Sequence, residues 1–230
     1  MAPGPSSKIE SRLPPRDPKG GRPTNDVAIQ LGFHILDVAL DCFVAGGVEG
    51  TSMEAIAAAA HISKRTLYSR FGSKLALLVA AIEHGLSRHF DPIPDSVPRG
   101  PVRRQIVHVA RRLLDISLLP EVVGIESLIV WLAGNRAGLL EAKPAIGAQA
   151  GISMIRTILE QQWRAPEDPI HDVAFLACHL FDALVTAPRH RILFRHDLRN
   201  TAKAKKEYIE RTTDLIAVAI PLLGPSENAG

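Results

Sequence analysis

Aromatic residues are scarce in this chain, with two Trp, two Tyr and seven Phe making up 5% of it. A core must therefore be filled by Leu, Ile, Val and Ala, which the 46% hydrophobic content can supply. Cysteine is nearly absent: Cys42 and Cys178 sit in apolar helical patterns, which excludes a disulfide framework and leaves two reduced core thiols. The longest apolar stretch, around 173–187, is interrupted by His179 and Asp182 and is too short to span a bilayer comfortably, so no membrane partner is expected. No apolar run follows a basic start, the pattern of a signal peptide, and the cytoplasm is the expected compartment. Alternating strand-like runs and internal repeats are missing as well, which leaves an all-α chain.

The chemistry of an enzyme is also missing. There is no G-x-G-x-x-G, no P-loop, no H-E-x-x-H and no paired cysteine spacing for zinc. The nine histidines are scattered, and even His84 and His89 are five apart, not at the i, i+4 spacing that aligns two ligands on a helix. Neither a metal nor a cofactor is expected. A net charge of +3 and a pI near 9.0 are only mildly basic and do not by themselves indicate a nucleic-acid partner.

What the chain does have is one organising stretch, Thr51 to Lys74, which reads as two short helices with a tight turn between them. Thr51 and Ser52 are candidate N-caps, and Glu54, three residues after Thr51, completes the capping-box pattern. Met53, Ile56, Ala57 and Ala60 share one face, where alanines allow a close helix crossing. Ser63 restarts the chain as a second N-cap. Leu67 and Phe71 are spaced to anchor the second helix, leaving Lys64, Arg65, Thr66, Tyr68, Ser69 and Arg70 to project outward. Four basic residues and no acidic one stand between Ser63 and Lys74. Basic groups neutralise phosphates and release counterions, hydroxyls and helix-start amides fix register on a duplex, and Arg or Lys near a helix start can reach guanine edges. Two helices of this kind form a helix-turn-helix, with Thr51, Ser52 and Lys74 expected mainly on phosphates.

Residues 22 to 90 resemble the DNA-binding domain of the TetR/AcrR family of bacterial transcriptional regulators. The resemblance is carried by Ile35, Leu36, Ala39, Phe43 and Gly47, then Thr51-Ser52-Met53, Ile56-Ala57, Ile62-Ser63-Lys64, Thr66-Leu67-Tyr68, Phe71, Ser73-Lys74 and Leu77. Three positions depart from the usual pattern. His61 stands where the family turn normally has Gly, and His tolerates positive φ better than most residues. Arg70 replaces a frequent His, and Leu75 replaces a common Glu.

Around this stretch the chain divides into four parts. Residues 1–24, rich in Pro, Gly and Ser, read as a disordered basic arm, with Arg22 the best placed to touch DNA. Residues 25–90 form the DNA-binding domain: a first helix to about Ala45, stopped by Gly46-Gly47, then the helix-turn-helix, then a connecting helix from Ser73-Lys74 to about Phe90. Pro92, Pro94, Pro98 and Pro101 mark the boundary. Residues 101–223 form a helical bundle and 224–230 a disordered tail. Within the bundle the periodicity predicts helices over 102–117, from Pro120 to about Asn135, from Pro144 to about Trp163, from Asp168-Pro169 to about Ala187, and from about Thr201 to Leu222 or Leu223. The basic run from Arg189 to Lys206 reads as a solvated loop between the last two.

The helix at 169–187 is apolar nearly all round, so it is buried on more than one side. The family resemblance implies that the last two long helices form a homodimer interface, with Leu180, Leu184, Leu215, Ile216 and Ala219 as candidates. It also implies an inducer site in the bundle. His108, Trp131, Met154, Phe175 and His179 are its candidate lining, as residues on or beside apolar stripes. The reading that follows is a sequence-specific regulator, a repressor that binds a palindromic operator in double-stranded DNA as a dimer and is released by a small molecule. The alternative is an all-helical ligand-binding or DNA-organising dimer of the same fold without operator-specific regulation.

Overall fold

The computed structural model describes residues 25–141, 148–162 and 172–224. Arg22, Pro144, Trp163 and the Asp168-Pro169 helix start lie outside them. All regular structure among the described residues is helical, and the chain divides into two compact units between His84 and Gly85. That division falls inside a helix, earlier than the proline-rich stretch.

The first unit contains α1 (Asn25–Gly50), α2 (Met53–Ala59), α3 (Lys64–Phe71) and α4 (Lys74–Phe90) up to His84. Its core is Ile35, Ala39, Leu40 and Phe43 of α1, Met53, Ile56 and Ala57 of α2, Leu67 of α3, and Leu77, Leu78, Ala81 and Ile82 of α4. Residues 26–50 are long and apolar enough to cross a membrane by composition alone. Here five of those side chains, Ile35, Ala39, Leu40, Phe43 and Val48, are instead closed into the core. α1 runs past Ala45, but its backbone breaks at Gly47, where φ is 68°. Glycine enters that region without a Cβ clash.

The second unit is a helical bundle: α5 (Pro92–Ser96), α6 (Val102–Ser117), α7 (Pro120–Glu141), α8 (Ala148–Gln162), α9 (Val173–Phe181), α10 (Ala187–His190) and α11 (Ala202–Ala217), with the last turns of α4. α8 packs along α9 and α6, and α11 lies on α6. The contact of α8 with α9 is close because residue 151 is glycine: a Cβ there would meet the Phe181 ring at 2.6 Å and Leu113 at 3.1 Å.

The proline-rich stretch read as a break contains the short helix α5, and two helix ends also differ from the sequence reading. The start of α9 among the described residues is capped by Asp172, whose carboxylate accepts from the Phe175 amide at 2.9 Å. Beyond Phe181 the helix does not stop at Ala187. It passes through a wide π turn (Asp182–Thr186), α10 and a second wide turn (Arg191–Arg195), ending at His196 in the left-handed conformation. Pro188 explains the first wide turn, since a proline inside a helix lacks the donor for the preceding turn and its ring crowds the carbonyl four residues back. The first part of the supposed solvated loop is therefore helix. The last helix is shorter than expected, because Pro221 cannot continue it and a single 3-10 turn (Pro221–Leu223) follows.

Candidate nucleic-acid interface and bundle cavities

The face of α2 and α3 is built almost entirely by local contacts. Ser52 is the N-cap of α2 and accepts from the Ala55 amide at 3.1 Å. Ser63 caps α3, accepting from the Thr66 amide at 3.0 Å, with its oxygen 2.8 Å from the Thr66 hydroxyl. The turn between the helices passes through His61 at φ 55°, the positive value its position requires. Leu67 is fully buried, whereas Phe71 is only half-buried.

The outward residues fall into two groups. Arg65 and Tyr68 are exposed, and Arg65 has no ion pair among the described residues. Lys64 is exposed but bonded to Glu54 of α2, and its ammonium also stands 5.7 Å from the Tyr68 ring centre. The bond to Lys64 holds the Glu54 carboxyl below the usual carboxylate range, and Glu54 raises Lys64 in turn. Glu54 thus answers Lys64 instead of closing a capping box with Thr51.

The second group is turned to structural use. Ser69 donates to the Thr66 carbonyl of its own helix at 2.9 Å, and Arg70 donates to the Ala28 carbonyl at 3.1 Å. Thr51 is buried, its hydroxyl within 2.7 Å of the Gly47 carbonyl and 3.0 Å of the Cys42 carbonyl. Lys74 donates to the carbonyls of Val48 at 2.7 Å and Thr51 at 3.0 Å. Thr51 and Lys74 therefore fix the end of α1 and the entry to α2, satisfying carbonyls that a helix end leaves open.

Besides a cleft of about 520 Å³ along α11, whose lining includes Arg191, Glu207, Tyr208 and Arg211, the second unit holds two cavities with mostly apolar walls among its packed helices. The larger, about 360 Å³, is lined by Leu86, Phe90, Ser117, Val122, Ile125, Glu126, Ile129, Ala148, Phe181, Asp182, Val185, Thr186 and Arg189. The smaller, about 300 Å³, lies between α5, α6 and α8 and includes Gln105, Val109, Met154 and Thr157. Of the five expected lining residues, only Met154 lines either one. His108 lines neither; its Nε2 stands 3.0 Å from the Ser96 hydroxyl, and burial, then Arg112, Arg111 and Arg104, lower its pKa. Trp131 is half-buried and lines neither. Phe175 is 59% exposed and packs against exposed His179 with ring centres 4.0 Å apart, so both face outward.

The dimer candidates divide in the same way. Leu180 and Leu184 are fully buried inside the unit and belong to its own core, because the helix turns them toward α6 and α8. Leu215 is 75% exposed, Ala219 is exposed and Ile216 is half-buried. Large apolar side chains missed by the sequence reading join them on the outside: Phe194 at 65% and Val218 at 86% exposed. A helix that is apolar all round gives no signal of which side faces its own core.

Residues 35–81 match the profile of the bacterial regulatory proteins of the tetR family. The transcriptional regulator SrpR of Pseudomonas putida, a helix-turn-helix protein, is 24% identical over 165 residues, which cover 72% of this chain and 76% of that protein. Among solved structures, a Mesorhizobium loti protein assigned to the same family aligns at a TM-score of 0.71 with 21% identity, covering 84% of this chain and 97% of that one. The regulator FadR of Bacillus subtilis, solved with stearoyl-CoA, aligns at 0.61 with 14% identity, covering 79% and 97%. At these identities the solved structures speak for the fold: an N-terminal helix-turn-helix followed by a helical C-terminal unit.

Proposed function

Starting from a chain that belongs to the TetR family of DNA-binding transcriptional regulators, we propose that it is a repressor that reads a palindromic operator as a homodimer and releases it on binding a small molecule. The observation that carries the DNA half is the outward face of α3. Its N-cap is set by Ser63, Leu67 anchors it, and Arg65 and Tyr68 stand exposed beside Lys64 and Thr66. Arg65 is the residue free to read a base edge, and a bidentate contact to guanine is its natural use. Ser52, Lys64 and the first amides of α3 suit phosphates. Ser69, Arg70, Thr51 and Lys74 act by holding the helices in place. Arg22 would extend the contact along the backbone.

The dimer half is supported by the exposed apolar residues Phe175, Phe194, Leu215 and Val218 on the last long helices, with Ile216 and Ala219 beside them. A two-fold arrangement presents two identical recognition helices, so the operator carries two related half-sites. The effector half rests on the larger cavity, whose size and mostly apolar lining suit a small molecule. α4 runs on both sides of the division between the units, which makes it the candidate element for coupling ligand to DNA. Selection of bound sequences from random duplexes, with sedimentation of the free protein, tests the reading. A palindrome and a micromolar dimer are expected. Equal binding of random and selected duplexes points to a DNA-organising protein instead.

A further inference from the structure

The effector reading leaves the chemistry of the ligand open, and the inference here, which rests on that reading, concerns the charges at the edge of the larger cavity. Its walls are apolar, with Leu86, Phe90, Val122, Ile125, Phe181 and Val185 among them. Three charged residues complete the lining: Glu126, Asp182 and Arg189. Arg189 is fully engaged. Its Nε donates to the Ser117 carbonyl at 3.0 Å and both terminal nitrogens donate to the Glu126 carboxylate.

Asp182 is different. Its Oδ1 accepts from the Thr186 hydroxyl at 3.1 Å, and no cation among the described residues pairs with it. It opens the wide π turn that precedes Pro188, and such turns recur at functional sites. The lining thus carries one uncompensated negative charge beside an apolar space. An anionic ligand would bring a like charge to that wall, with the one lining cation already held by Glu126. A neutral ligand would cover the carboxylate without pairing it, and covering an unpaired charge is costly. A protonated amine solves both problems with a charge-assisted hydrogen bond.

We infer that the larger cavity binds an apolar cation, a protonated amine carried on a hydrophobic body, with its ammonium at Asp182 and its body among Phe90, Phe181 and the aliphatic wall. The two aromatic rings lining the same space offer additional attraction for a cation.

A triplet of equal shape tests this: phenylhexylamine, phenylhexanol and phenylhexanoate, titrated calorimetrically into the full chain near neutral pH. The amine should bind most tightly and the acid most weakly. Asp182→Asn keeps an acceptor for Thr186 and should weaken the amine about tenfold, the low end for a hydrogen bond to a charged group, while leaving the alcohol unchanged. Ala148→Trp, which fills the cavity from its rim, should weaken all three. Binding of the acid as tight as the amine, or an amine indifferent to Asp182→Asn, overturns the inference; if Ala148→Trp still abolishes binding, the cavity stands as a ligand site of another class. Binding by none of the three overturns both.

Discussion

The two units build their candidate sites in opposite ways. The nucleic-acid face is contiguous: Ser63, Lys64, Arg65, Thr66 and Tyr68 follow one another, and the bonds that set α3 lie within three residues of Ser63. The larger cavity is assembled from residues spread between Leu86 and Arg189, on helices whose relative placement must be right before any site exists. A contiguous site depends on caps and on the direction of a single helix. A dispersed one depends on packing, so it is sensitive to changes far from its own lining.

The sharpest break of that comparison is at the proposed interface, because it should disable the contiguous site without touching it. Leu215→Glu combined with Val218→Glu places two charges on exposed apolar positions of the last helix and its end. Sedimentation should show a monomer and operator affinity should fall by orders of magnitude, while the thermal melt hardly moves. Leu180→Glu would be a poor test, since it destroys the unit's own core.

Next in size is Gly151→Val, aimed at the dispersed site. The added carbons must displace Phe181, so stability should drop by about 1–3 kcal/mol, the usual range for overpacking. Cavity ligands should be lost because Phe181 is part of the wall. A melt unchanged from the parent chain would mean that α8 and α9 pack more loosely than their geometry indicates.

Arg65→Ala should leave the melt alone and reduce operator affinity by roughly 1–3 kcal/mol, with relaxed preference at one base position. Anisotropy titrations against a panel of half-site variants read both effects. Uniform weakening across the panel would make Arg65 a phosphate contact. The smallest effect belongs to the Glu54–Lys64 pair. A depressed carboxyl contributes only above its ordinary pKa, and the contribution is lost as pH falls through the depressed value. The Glu54 carboxyl should therefore titrate by NMR below the ordinary value of about 4.3 and move back toward it in Lys64→Gln.

The same contrast explains what could be read from sequence. Ser52 and Ser63 as caps, the inward Met53, Ile56, Ala57, Ala60 and Leu67, and the positive φ of His61 follow from neighbours a few residues away, and all are found. Periodicity made α6, α7 and α11 legible too, but neither the short α5 among the prolines nor the helical turns beyond Ala187. The cavity lining was not, because Asp182, Glu126 and Arg189 read singly as surface charges, and only the approach of α10 to α7 through Arg189 and Glu126 brings them together. The backbone partners of Lys74 and Arg70 were not legible either: they are carbonyls 23 to 42 residues away, and no side-chain pattern records an open carbonyl.

Lys74 also has a consequence for reactivity. An amine must lose a proton before it can attack an acylating reagent, and its lone pair must then be exposed. The Lys74 nitrogen donates to two carbonyls in a partly closed setting, whereas Lys203 on α11 stands in solvent without an ion pair among the described residues. In a timed lysine-labelling experiment on the free protein, Lys74 should be modified well after Lys203. Loosening the end of α1, as Thr51→Ala would, should close that gap.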